Sequence, residues 1–272
     1  MKLRVVLYCL LGGLPVTIAA LGAGHFAWWW FSGVLLAASF VPVALFGPPK
    51  ALAQFYVIAP VLLIVTVLCT WSEALIFMPQ FSQHAFRDLA SGIVLYLILA
   101  VVLAVLASLL KLSRATDVNI PHRAPAFAAL MVVLSGVAYA VYYLIFGAIT
   151  YQFFTKGYYP EATRLVERLG LWFWAIQIAR GLLMTLAVVP VIYTLRMKRW
   201  HAAIVAGLLI WITGGAAPLA VPNDFMGAPQ RLIHIVEIFT QNASLGVTAA
   251  LLLCPRAVPV GSKQAEAGST PA

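Results

Sequence analysis

An all-α, polytopic membrane bundle of about eight transmembrane helices is the fold class this sequence predicts. Three observations carry that prediction. Of 272 residues, 63% are hydrophobic and 9% charged, with mean hydropathy +0.99; an ordinary soluble domain has about 25% charged residues. Apolar runs of ~20 residues, enough to cross a bilayer at ~1.5 Å per residue, recur along the chain. Those runs do not alternate polar with apolar residues, as the strands of a membrane barrel do. A soluble enzyme, a disordered chain and a disulfide-rich secreted scaffold are thereby excluded.

The eight spans run roughly over 5–23, 26–46, 52–72, 89–110, 125–149, 171–195, 201–220 and 232–253, together a transmembrane domain over 1–254. Gly24-His25 makes a tight turn between the first two. Gly47-Pro48-Pro49-Lys50 stops the second, because proline lacks an N–H and clashes with the preceding turn. Residues 72–88 hold Glu73, His84, Arg87 and Asp88 among aromatics and predict an interfacial or re-entrant segment. Lys111 to Arg123 and Arg196-Met197-Lys198-Arg199 are basic connections, and Val221-Pro222-Asn223-Asp224 is turn chemistry.

Between the fifth and sixth spans, Ala162, Leu165, Val166 and Leu169 share one helical face, with Glu161, Arg164, Glu167 and Arg168 opposite. This predicts an amphipathic helix over 158–169 lying in the headgroup layer, with Pro160 in its first turn and Gly170 capping its end. Pro15, Pro42, Pro60 and Pro190 predict kinks within spans. Residues 255–272, rich in Pro, Gly, Ser and Ala, predict a disordered cytoplasmic tail. Residues 1–24 also fit the pattern of a cleaved signal peptide, which would leave seven spans in the same orientation.

The net charge of +9 could suggest nucleic acid, but the basic residues sit in clusters between apolar runs, where they orient spans and touch headgroups. With the N-terminus inside, the cytoplasmic face collects Lys2, Arg4, Lys50, Lys111, Arg114, Arg123, Arg196, Lys198, Arg199, Arg256 and Lys263, eleven of the 17 Lys and Arg. The positive-inside rule therefore predicts both termini in the cytoplasm, in a bacterial cytoplasmic membrane. Segments 33–50 and 181–198 align without gaps, sharing Gly33/Gly181, Pro42/Pro190 and Lys50/Lys198. Such a match fits a parallel repeat, or coincidence in a Leu/Val/Ala-rich alphabet.

Two anomalies inside the spans suggest chemistry. Gln230, His234, Glu237 and Gln241 form a polar stripe on the last span, spaced by four, three and four residues. Facing lipid, such groups are costly, so the stripe is expected to face the interior. Arg180 lies about nine residues into the sixth span, near mid-membrane, where an arginine costs about 2.5–3.5 kcal/mol to insert. Its expected partner is Glu237, with Gln177 one turn above, as either a structural clamp or a ligand or proton site.

His234-x-x-Glu237 is also a fragment of a carboxylate metal motif. Only Glu73, His84 and Asp88 could complete it, so no metal and no cofactor is expected. Cys9, Cys69 and Cys254 are too scattered for a disulfide or zinc framework and read as small buried residues. The Trp28-Trp29-Trp30 run, Tyr158-Tyr159, Trp172 and Trp174 predict an interfacial belt. Tyr139, Tyr142 and Tyr143 lie deeper and need partners for their hydroxyls.

No Walker, GxSxG, HExxH or dinucleotide motif is present. The leading expectation is transport or ligand sensing through an outward-facing polar cavity. The alternatives are an outer-face enzyme using His234 and Glu237 as acid and base, and a structural subunit whose stripe binds another membrane protein. Expected partners are the lipid bilayer and an unidentified small molecule or ion, with no nucleic acid. These readings separate on which way the 230–241 stripe faces.

Overall fold

A computed structural model describes residues 1–22, 24–77, 84–114, 124–158 and 162–254. Those residues form an all-helical bundle without strands. Eight helices are long and apolar enough to cross a membrane: Lys2–Ala19, Phe26–Phe46, Ala51–Phe77, Ala85–Leu109, Pro125–Thr155, Leu171–Thr194, Arg199–Ala220 and Ala228–Leu253. The eight predicted spans are thus present, and the chain is a multi-pass membrane protein by its architecture. The predicted tail, 255–272, lies outside the described residues, and Gly24, at φ 75, shapes the first turn. His25, at φ 54, takes the left-handed conformation that this turn requires.

Three of the four predicted kinks have identifiable forms, whereas Pro190 lies inside the unbroken helix Leu171–Thr194. The first span breaks at Gly13 ahead of Pro15, and the second at Phe40 ahead of Pro42. Pro60 ends the regular part of the third span, which continues as a π-helix over Val61–Cys69. Further π segments occupy Tyr151–Thr155, Ile212–Ala216 and Phe239–Ala243. Each inserts extra chain into a turn and rotates every later side chain away from the face a regular helix would give it.

The expected interfacial segment at 72–88 is corrected on its described flanks. Thr70–Phe77 continues the third span, and the fourth begins at Ala85; residues 78–83 lie outside the described residues. Ending the third span at Ser72 treated Glu73 as a loop residue, but the helix carries it four residues short of its end at Phe77. The amphipathic helix is present over Ala162–Leu169, with Leu165, Val166 and Leu169 half-buried and Glu167 exposed. Gly170, at φ 52, closes it.

Helices that share an apolar solvent gain no hydrophobic drive to associate, so small residues that allow close approach seat them. A Cβ on Gly181 would stand 2.8 Å from the Gly136 carbonyl and 2.6 Å from Tyr139 Cβ. The sixth span therefore presses against the fifth just beside Arg180. The first, second and fourth spans meet in a dry seam around Tyr8, Leu36, Phe40, Leu99 and Leu103, all fully buried.

Loops at the Met1 end are tied by the backbone. Arg114 N–H donates to Leu45 O at 2.8 Å and Arg196 N–H to Phe46 O at 3.2 Å. Gln54 Nε2 donates to Pro48 O at 2.7 Å, and Arg199 to Leu251 O.

The helix boundaries bear on the repeat. The second span ends at Phe46 and the sixth at Thr194; the third starts at Ala51 and the seventh at Arg199. Both pairs keep the register of the 33–50 and 181–198 alignment, and the third and seventh spans each carry a π segment. The π segments of the fifth and eighth spans have no counterpart in the first and fourth.

Candidate functional site

Arg180 is 6% exposed, inside the bundle. Its Nη2 donates to Glu73 Oε2 at 2.6 Å, and its Nη1 to Gln177 Oε1 at 2.8 Å. Tyr143 Oη donates a long hydrogen bond, 3.4 Å, to Glu73 Oε1. The guanidinium carbon lies 5.9 Å from the Tyr139 ring centre and 6.0 Å from that of Tyr143, a distance at which ring faces attract cations.

The expected Arg180–Glu237 hydrogen bond is therefore corrected: Glu73 holds the guanidinium. Helix direction gives the reason. Side chains on a helix lean toward its N-terminus. The sixth and eighth spans start at the same end of the bundle, so Arg180 and Glu237 lean the same way. The third span runs opposite to them, and its Glu73 leans back toward Arg180. Glu237 instead turns to its own helix: His234 Nδ1 lies 2.9 Å from Glu237 Oε2, and Gln241 Nε2 donates to Oε1 at 3.3 Å.

The stripe on the eighth span faces inward. Gln241 is 3% exposed, and Glu237 and His234 are part-buried, whereas Leu232 and Val236 on the opposite face are more than half exposed. Gln230 has a local role, since its Oε1 accepts the Gly227 N–H at 2.7 Å and closes the first turn of that helix. The π segment at Phe239–Ala243 buries Asn242 beside Gln241. Asn242 falls outside the 230, 234, 237, 241 spacing, which is why sequence periodicity did not find it.

A small chamber joins these groups. Glu73, Arg180, Gln241 and Asn242 line it with Tyr139 and Cys69. The π segments of the third, seventh and eighth spans all reach it, through Val65 and Cys69, Gly214, and Gln241 with Asn242. Its free space is that of about one water molecule. Gln177 and Gln230 are not among its lining residues, and Gln177 touches it only through Arg180. Toward the His25 end, Phe77, Tyr143 and Phe173 stack edge to face, with ring centres 5.9–6.3 Å apart. Glu73 keeps 31% side-chain exposure, so the pair is not sealed on every side.

The other candidates separate from this centre. His84 and Asp88 are exposed, and no group of three or more His, Cys, Asp or Glu among the described residues could hold a metal ion. Tyr142 shares a hydrogen bond with Thr248 at 2.8 Å, tying the fifth span to the eighth. Trp28, Trp30, Tyr158 and Trp172 are exposed, as interfacial aromatics should be; Tyr159 lies outside the described residues. Of the three cysteines, only Cys69 is buried.

Two residues of the centre, Glu73 and Asn242, were not among the expected stripe and arginine. Glu73 had a signal, an acidic residue within one turn of an apolar run. Asn242 had none short of knowing the π segment. Comparison of the chain with protein-family models, with curated proteins and with solved structures gives no match in any of the three.

Proposed function

We propose that this chain is a transport protein of a bacterial cytoplasmic membrane, working through the chamber at Arg180, Glu73, Gln241 and Asn242. The Met1 end faces the cytoplasm in this reading, because the basic loops gather there and the positive-inside rule places them inside. The chamber then belongs to the outward half, reached past Glu73 and the Phe77–Tyr143–Phe173 aromatics.

One observation carries the reading. Charged and amide side chains from the third, sixth and eighth spans converge on one chamber at which three spans depart from regular helix. Ionisable groups inside a membrane are costly and mark ion and proton paths. Interrupted helices are a recurring feature of transport sites. A lone clamp needs only the pair; it does not need π segments in three helices or an amide-lined void.

The small void favours a proton or a very small ion over an organic substrate in this conformation. Little room is left for an enzyme's substrate beside His234 and Glu237. A docking stripe for another subunit would face outward, whereas Gln241 is buried.

The test is electrical. Full-length protein in proteoliposomes on a solid-supported membrane is exposed to concentration jumps of protons, sodium, ammonium, chloride and formate. At least one should evoke a current or a lumenal pH change that Glu73→Gln removes. Silence toward all five, from folded and oriented protein, would contradict the proposal.

A further inference from the structure

We infer that Arg180 is an anion-binding residue occupied by Glu73 at rest, and that the chamber takes a small monovalent anion of halide or formate size together with one proton. This rests on the transport reading and names its substrate class.

Donors without acceptors point to the class of guest. Arg180 Nε and Gln177 Nε2 are buried and have no hydrogen-bond partner, although Gln177 is fully buried and Arg180 nearly so. Both can only donate, and a buried donor left unsatisfied is costly. A cation in the chamber would meet the guanidinium at close range. An anion there offers acceptors to Arg180, which lines the chamber, where Gln177 does not.

Glu73 is the resident competitor. Its carboxylate already supplies the acceptor geometry that Arg180 prefers. A proton arriving from the outward side converts that carboxylate to a carboxylic acid and ends the ion pair. The guest anion then takes the vacated guanidinium N–H groups. Before the exchange the pair sums to zero charge; afterwards the neutral acid, the guanidinium and the anion again sum to zero. Neither state buries a net charge, which the membrane interior would penalise. Release reverses the step: the anion leaves, Glu73 gives up its proton, and the pair closes again.

Several groups set the field at Glu73. Arg180 faces it from the sixth span, and Tyr139 and Tyr143 from the fifth. Glu237 and His234 act from the eighth span, and Cys69 from its own helix. The seventh span presents only Gly214 to the chamber. Arg87 and Asp88, on the fourth span, are exposed.

The experiment measures binding apart from transport. Thermal unfolding of the purified full-length protein is followed at fixed ionic strength with sodium chloride or sodium formate, and with sodium gluconate as an oversized control, from about pH 4 to about pH 8. A ligand that binds only the folded state raises Tm in a saturable way. Chloride or formate should do so at low pH, and the stabilisation should weaken as pH rises. Gluconate should have no such effect.

Glu73→Gln should bind equally well at every pH. The double variant Arg180→Met with Glu73→Met, which removes both charges, should fold and bind neither anion. The wild-type titration needs no variant, so a misfolded mutant does not decide the matter. Three results would overturn the inference: no anion stabilisation in wild type at any pH, stabilisation in wild type independent of pH, or equal stabilisation by gluconate. Anion binding without flux in proteoliposomes would refute the transport reading and leave this site. Cation flux without anion binding would do the reverse.

Discussion

The seam between the first, second and fourth spans and the chamber between the third, sixth and eighth are both interior, yet they are built on opposite terms. The seam holds Tyr8, Leu36, Phe40, Leu99 and Leu103 and no charge. The chamber holds Glu73, Arg180, Gln241 and Asn242. In a bilayer the unfolded reference is already apolar, so the seam gains only packing. The chamber must offset the cost of charge by pairing Arg180 with Glu73. Loss of one group should therefore be local and unrescuable in the seam, but large and rescuable in the chamber.

Arg180→Met tests this most severely. It strands the Glu73 carboxylate or forces it to take up a proton, and breaking a buried pair costs about 3–5 kcal/mol. Folded yield from membranes should fall sharply, and adding Glu73→Met should restore much of it. Adding Glu237→Gln instead should restore little. In the seam, Leu103→Ala should cost about 2 kcal/mol, near the low end for a buried leucine, because the apolar transfer term is largely missing in lipid. No second substitution among its neighbours that removes further atoms should recover that loss.

Smaller changes sharpen the contrast. Gly181→Ala places a methyl against Tyr139 and Gly136 and should cost about 1–2 kcal/mol by overpacking. It should also disturb the anion or proton response, because the same contact sets Tyr139 and Arg180. Gly33→Ala, whose Cβ would stand 2.4 Å from Gly13 O in the other half, should destabilise without changing that response. Tyr143→Phe removes one long hydrogen bond and should cost about 0.5–1 kcal/mol in chemical or thermal unfolding.

Much of this architecture was legible in the sequence. Apolar run length located eight spans, and residue spacing located the amphipathic helix and the inward stripe. Two physical effects hid the rest. The charge of Glu73 argued for a loop, because its partner Arg180 is 107 residues away and no local pattern announces the neutralisation. The second effect is direction combined with register. Depth alone suggested Glu237 as the partner, but the antiparallel third span leans Glu73 toward Arg180 and supplies the partner. The π segment at Phe239–Ala243 then shifts the face of the last span, and Asn242 lines the chamber beside Gln241.

A pair of double-mutant cycles tests the central claim, that Arg180 is held by Glu73 and not by Glu237. Stability is measured for Arg180→Met, Glu73→Gln and their combination, and separately for Arg180→Met, Glu237→Gln and theirs. The structure predicts coupling of about 1.5 kcal/mol or more for Arg180 with Glu73, and under about 0.5 kcal/mol for Arg180 with Glu237. The reverse order, or no coupling in either cycle, would contradict it.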